Sequence, residues 1–301
     1  MKKIIDKIND LKKQKNAVIL AHNYQRPEVQ DIADHTGDSL GLSIQAAQTK
    51  ADIILFCGVY FMAETAKILS PNKIVLIPDP DAGCPMADMI TADQLRELKR
   101  QHPKAKVVCY VNSPAEVKAE SDVCCTSANA VEILKKMFTE KDEILFVPDK
   151  YLGSYAAKKA KRNVITWNGY CPTHAKMLPD DILKLKALHP EAKVMVHPEC
   201  PAPIIKLADE VLSTAGMLRY AKTNDAKEFI VVTEMGMIYP LKKENPEKEF
   251  YPVSDLAVCP NMKRVTLEKV LYSLENMVYK IELPHEIMSR AWGSINRMLE
   301  Y

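Results

Sequence analysis

Three cysteines, Cys84 in CPM, Cys171 in CPTH and Cys259 in CPNM, stand 87 and 88 residues apart, each followed by proline. That spacing is far too long for a local zinc or ferredoxin motif, and the chain has no CxxC, no CxxxC and no Cys/His knuckle. It is the spacing of a repeat. Equivalent positions of a threefold repeat lie equally far from its axis, so if one sulfur reaches the axis all three can. Converging thiolates select zinc, copper(I) or an iron-sulfur cluster. A structural zinc asks for a fourth protein ligand, which His174, three residues after Cys171, could be. A four-iron cluster on three cysteines instead leaves one iron open as a Lewis acid. The other cysteines, Cys57, Cys109, Cys124, Cys125 and Cys200, have no register partners and read as small packing residues.

The same register aligns a polar set. His22-Asn23-Tyr24, Tyr110-Val111-Asn112 and His197-Pro198-Glu199 are equivalent triplets, each at the end of a strand-like run. Parallel sheets bind ligands beyond the carboxyl ends of their strands, so the outer two side chains of each triplet should converge on the axis while Val111 and Pro198 point away. A further set, Asp38-Ser39, Thr126-Ser127 and Ser213-Thr214, precedes helical segments at spacings of 88 and 87. Alone, each pair is an ordinary N-cap; three facing inward would make a site for phosphate and carboxylates.

The elements that must place these residues repeat as well. LKRQHPKAKV at 98–107 matches LKALHPEAKV at 185–194, and an equal step back lands on Leu11-Lys12. Pro27, Pro114 and Pro201 keep the register, as do Asp34, Asp122 and Asp209. Each copy reads helix, strand, helix, strand, helix, strand. The strands are AVILA, ADIILFCG and KIVLIP in the first, KVVCYV, EILFV and NVITW in the second, and KVMVH, FIVV and EFYPV in the third. Continuous apolar runs mark strands covered by helices on both faces. The expected fold is α/β, three αβα sandwich units with parallel sheets around a pseudo-threefold axis. The units run over 1–87, 88–175 and 176–263. Thr91, Pro179 and Thr266 open equivalent helices, YKIELP is a further strand-like run, and 264–301 forms a tail expected to pack back on the first unit.

Bulk properties exclude several classes. Of 301 residues, 41 are basic and 39 acidic, with no basic block interleaved with aromatics, so nucleic acid is not an expected partner. The longest apolar stretch, Ile53 to Ala63, is short of a membrane span, and the charged N-terminus lacks a signal-peptide core. A cytoplasmic protein is expected. Glycine is scarce, with neither GxGxxG nor GxxxxGK, which disfavours dinucleotide and P-loop sites.

In order along essentially the whole chain, AHNYQRPEVQDIAD, GDSL, GVYFMAETAKIL, CPMA, YVNS, TSANAVE, CPTH, HPEC, ST followed by GM, TEMGM and CPNMK resemble the quinolinate synthase family. The resemblance implies a pseudo-threefold triplet of αβα domains around a 4Fe-4S cluster. It also implies condensation of iminoaspartate with dihydroxyacetone phosphate, with loss of phosphate and water, to quinolinate, the pyridine precursor of NAD. Carried over by position, it makes Cys84, Cys171 and Cys259 the cluster ligands. Tyr24 and Glu199 become the acid-base pair, with His22 and His197 in the same pocket. Tyr110, Asn112, Ser39 and Ser127 would hold carboxylates, Ser213 and Thr214 with His197 the phosphate, and His174 would lie beside the cluster. Phe61 and Met62 would wall the cavity. The enzyme that makes iminoaspartate is the implied protein partner. GVY stands where GVD is common and STAG where STGG or STGQ is common, both at the pocket periphery. A C-terminal CxxCxxC found in some relatives is missing, so no thiol switch of that kind is expected. Two other readings use the same cysteines: a 4Fe-4S hydro-lyase of the aconitase chemical type, and a non-catalytic iron-sulfur sensor. Phosphate-shaped hydroxyl sites disfavour the first, and a sensor has no use for convergent His, Tyr, Glu and Asn. A Schiff-base aldolase lacks a register-equivalent pocket lysine.

Overall fold

The computed structural model describes residues 2–301 and contains three four-stranded sheets, every pairing within them parallel. In the first, β1 (Ala17–His22), β2 (His35–Gly37), β3 (Ile53–Cys57) and β4 (Ile74–Leu76) lie in the order β2-β1-β3-β4. The second has β5 (Lys106–Tyr110), β6 (Val123–Cys125), β7 (Ile144–Val147) and β8 (Val164–Thr166) in the order β6-β5-β7-β8. The third repeats the order as β10-β9-β11-β12, from β9 (Lys193–Val196), β10 (Glu210–Val211), β11 (Glu228–Val232) and β12 (Glu249–Pro252). Central strands such as β3 and β7 are buried along their whole length, as strands covered on both faces must be.

Each sheet has one strand more than the apolar runs predict. The additions, HTG, VCC and EV, are two or three residues long, too short to show any period. The repeated aspartates explain how so short an edge is held. Asp34, Asp122 and Asp209 stand just before β2, β6 and β10, and each accepts, at 2.8 Å, a main-chain N–H of the neighbouring first strand, from Ile19, Val107 and Val194. Each returns its own N–H to the carbonyl of that same residue. The carboxylate thereby starts a ladder that two or three residues would not start alone.

The helices begin where the capping residues say. Thr91 and Gln94 form a capping box, Thr266 caps the Leu267–Asn276 helix, and Pro179 occupies the first turn of its own. The YKIELP run does not start another parallel sheet. It hydrogen-bonds antiparallel to the free edge of β4, Ile281 donating to Val75 and Ile77 to Tyr279. Ahead of it in the chain, the Leu267–Asn276 helix lies on the Lys2–Gln14 helix of the first unit. The last helix, His285–Met298, lies on the Tyr60–Leu69 helix of the first unit and on Ala115–Ala119 and β6 of the second. No helix is long and apolar enough to cross a membrane.

Candidate active site

The carboxyl ends of the first strands of the three sheets open onto one cavity. His22, Tyr24, Tyr110, Asn112, His197 and Glu199 all line it. So do Cys84, Cys171 and Cys259, one from each unit. Asn23, the middle member of its triplet, turns away and donates to Thr214 Oγ1 at 2.9 Å.

The helix-start pairs divide their labour by position. In the first and third pairs the leading residue caps, Asp38 accepting from Gly41 N and Ser213 from Gly216 N, whereas Thr126 accepts from Ala128 N in a turn ahead of its helix. The second, Ser39, Ser127 or Thr214, lines the cavity. Ser213 therefore departs from expectation, because its hydroxyl is used in capping and in a 3.2 Å bond to Asp38 Oδ2. Ser127 sits in a turn ahead of its helix, which begins only at Ala130. Phe61 and Met62 lie on the wall, joined by Val59, Met86 and Met262.

A chain of hydrogen bonds and one ion-pair contact crosses the site. Tyr24 Oη is 2.5 Å from Thr233 Oγ1, which is 2.9 Å from His174 Nε2. The other ring nitrogen of His174 is 2.8 Å from Glu199 Oε2, and Tyr110 Oη donates to Glu199 Oε1 at 2.5 Å. Burial alone would raise the Glu199 carboxyl, but the neighbouring histidines and the Tyr110 hydroxyl outweigh it and hold the group below its ordinary value. Tyr24 moves the other way, raised by burial and then by the Glu199 charge. Around neutrality the chain thus runs from a protonated phenol to an ionised carboxylate. Burial pushes His22 and His197 down to about 3, so both imidazoles are neutral. Anions would meet neutral donors here.

Two carboxylates and a hydroxyl beyond the register complete the site. Glu234, fully buried, accepts from Cys259 N at 3.1 Å and from Gly236 N at 2.7 Å and pairs with Lys263 at 3.0 Å. Lys263 also donates to the Tyr24 carbonyl, so the Cys259 loop and Tyr24 share one anchor. Gly236 sits where these groups meet, and a Cβ there would come within 2.7–2.8 Å of Glu234 Oε2, Lys263 Nζ and the Tyr24 oxygen. Asp149 caps the Lys150–Ala160 helix from the corresponding place in the second unit. Thr233 is the link already described. The first unit has Gly58 and Val59 at these places, so a search for threefold matches had no signal for them.

The donor set fits an iron-sulfur cluster better than one ion. Three soft thiols reach one buried cavity, and burial raises all of them, Cys84 to about 12. A single tetrahedral zinc, with bonds of about 2.3 Å to sulfur, needs its ligand atoms roughly 3.8 Å apart. Among the described residues the one group of three His, Cys, Asp or Glu donors within 4.8 Å of one another is Cys171, His174 and Glu199, not the three cysteines. Their wider spacing suits a cluster. Asn112 Oδ1, buried with no protein partner, is a further polar atom on the cavity wall.

The sequence profile of the family described as Quinolinate synthetase A protein matches residues 6–300. A quinolinate synthase of Dehalococcoides mccartyi (strain CBDB1) is 58% identical over 296 residues, covering 98% of this chain and 97% of that one. One of Methanosarcina barkeri (strain Fusaro / DSM 804) is 53% identical at the same coverage, and one of Aquifex aeolicus (strain VF5) is 52% identical over 306 residues, covering 100% and 94%.

Proposed function

Because the chain belongs to the quinolinate synthetase A protein family and is an enzyme of quinolinate synthesis, we propose that its axial cavity condenses iminoaspartate with dihydroxyacetone phosphate around a 4Fe-4S cluster. Cys84, Cys171 and Cys259 hold the cluster in this reading. When bound, it supplies an iron without a protein thiolate, a Lewis acid for an oxygen or nitrogen of the substrate. One observation carries the reading: the Tyr24-Thr233-His174-Glu199-Tyr110 chain crosses the cavity on whose wall all three cysteines stand.

The chain's own residues do the remaining work. Glu199, ionised, takes the proton from the iminoaspartate carbon that bonds to the triose, and again from carbon as phosphate leaves. Tyr24, protonated, gives its proton in turn to each of the two triose oxygens that depart as water, one of them as the imine nitrogen bonds to carbon and closes the ring. A proton taken at Glu199 can return to Tyr24 through His174 and the Thr233 hydroxyl, which resets both groups between steps. Ser39, Ser127, Tyr110 and Asn112 hold the carboxylates; Thr214 and neutral His197 hold the phosphate. His22 packs edge-on against the Tyr24 ring, centroids 4.6 Å apart, and fixes its direction. Phe61, Met62, Met86 and Met262 exclude water, which sharpens every one of these contacts.

The division into 1–87, 88–175 and 176–263 belongs to the same proposal, since each unit then contributes its own cysteine just before its end, and 264–301 closes the assembly. Thiolates kept free for a cluster suit the reducing cytoplasm, where the enzyme that makes iminoaspartate would supply it. Replacing Cys84, Cys171 or Cys259 by Ala should abolish iron and sulfide incorporation and quinolinate formation, whereas Cys57→Ser or Cys200→Ser should load normally. Retained stoichiometric iron in a Cys259→Ala variant would overturn the cluster assignment.

A further inference from the structure

We infer that the cluster-free enzyme carries a preformed site for a single borderline divalent cation, zinc above all, built from Cys171, His174 and Glu199. The three donor atoms lie within 4.8 Å of one another, with His174 Nδ1 3.2 Å from Cys171 Sγ and 2.8 Å from Glu199 Oε2. One tetrahedral ion holds such donor atoms about 3.3–3.8 Å apart, so small side-chain shifts that open the two shorter separations would admit it, and the three cysteines lack even this proximity. The donors come from two elements held rigidly: Cys171 and His174 from the cap and first turn of the Pro172–Ala175 helix, Glu199 from the end of β9.

The surroundings are those of a metal site. Histidine ligands bind through one nitrogen while the other is oriented by a hydrogen bond, and His174 Nε2 has the Thr233 hydroxyl at 2.9 Å for that purpose. Glu199 keeps Oε1 on the Tyr110 hydroxyl and presents Oε2 to the site. His197 stacks on the His174 ring, centroids 4.8 Å apart, and prevents it from turning away. His174 and Glu199 are 2% and 4% exposed, and all three donors line the cavity, which leaves a fourth position to water. On binding, the Cys171 thiol gives its proton to solvent and its sulfur to the ion. The proton between His174 and Glu199 shifts to Nε2, facing Thr233. Thiolate, imidazole and carboxylate together match zinc among the common divalent ions.

Zinc and the cluster cannot be held together, because both use Cys171. Zinc bound here would therefore block cluster assembly. The inference shares Cys171 with the proposed function but is read entirely on cluster-free protein, so its failure would leave that function standing. The test is anaerobic titration of zinc into full-length, cluster-free protein against a chromophoric chelator. One zinc per chain should bind. Cys171→Ala should weaken it on the order of a hundredfold and His174→Asn or Glu199→Gln at least about tenfold, while Cys84→Ala and Cys259→Ala stay within about threefold. Equal losses in all three cysteine variants would place the ion on the tripod and overturn the inference, as would unchanged affinity in His174→Asn. Cobalt(II) on unmutated protein gives a readout free of folding defects: charge-transfer intensity of one thiolate supports the mixed site, and that of three overturns it. One equivalent of zinc added before iron and sulfide should slow reconstitution at least about tenfold, reversibly by chelator. Unimpeded reconstitution would refute the block.

Discussion

The seam between the first and second units and the seam between the third and first differ in the polar groups that cross them. The first-to-second seam lies in an apolar core that runs on into the third unit through Met217, Phe229 and Phe250, and it embeds one cation. Lys118, fully buried, donates to the Phe61 carbonyl at 3.1 Å and to Thr65 Oγ1 at 2.8 Å, while Glu64 accepts from Ala115 N. The His285–Met298 helix straps this seam from outside, with Ser294 bonded to the Lys118 carbonyl and Asn129 to the Met298 carbonyl. The third-to-first seam is polar and lies at the cavity. Asn23 meets Thr214, Asp38 meets Ser213, Arg26 meets the Lys263 carbonyl at 2.9 Å, and Lys263 ties Glu234 to Tyr24. The third unit keeps a separate apolar cluster of its own. The polar contacts of the first-to-second seam thus include none of the groups proposed to move protons, whereas those of the third-to-first seam lie among them, so substitutions at the two should separate.

The largest effect is expected from Lys118→Met. It leaves the Phe61 carbonyl and the Thr65 hydroxyl without their buried donor and Glu64 without its nearby cation, at about 1–3 kcal/mol for each unpaired group. Thermal melting should fall by several degrees while kcat and KM of the surviving enzyme stay within about twofold. An intact melting temperature, or a collapse of kcat, would erase the contrast between the seams. Glu199→Gln should do the reverse, lowering turnover on the order of a hundredfold with melting and iron content little changed, because the amide oxygen keeps the Tyr110 bond, the amide NH2 can donate to His174 Nδ1 in its other tautomer, and neither can take a proton. Quinolinate formation followed anaerobically, with iron counted in the same sample, decides it.

Thr214→Val probes the polar seam more gently. It removes one contact to an anion and the acceptor of the buried Asn23 amide, so KM for dihydroxyacetone phosphate should rise on the order of tenfold, with iron unchanged and melting lowered by a few degrees at most. A fall in stability with unchanged KM would make Thr214 a seam residue alone.

How far the sequence reached follows the same division. Cavity residues were legible because the repeat superposes them: His22 on Tyr110 and His197, Tyr24 on Asn112 and Glu199, the three cysteines on each other. Where one copy breaks the pattern, the register falls silent. Thr233 and Glu234 correspond to Gly58 and Val59 in the first unit, so neither the proton link nor the anchor of the Cys259 loop stood out. Ser213 was overread because capping and lining residues are adjacent, and only the direction of each hydroxyl tells them apart. The buried Lys118 was unreadable, since a lysine in a short helix is ordinarily solvated and its acceptors come from residues more than 50 positions away.

Glu64 gives the finest test of the apolar seam. Its carboxyl is pushed up to about 7, first by burial and also by Glu116, with Lys118 and the Ala115 N–H acting against the rise. In the unfolded chain the group titrates near its ordinary 4.5. Below that value both states carry the proton and Glu64 contributes no slope. Between 4.5 and about 7 the folded state alone keeps it, so stability falls as pH rises through this window and levels off above. Glu64→Gln cannot titrate, and Lys118 retains its acceptors at Phe61 and Thr65. The melting temperature of the variant relative to the parent should therefore be nearly equal at pH 5 and pull ahead by a few degrees at pH 8. Parallel curves across that range would mean that Glu64 is ionised throughout and paired with Lys118 as a salt bridge, and the seam would then owe its stability to charge as much as to its apolar core.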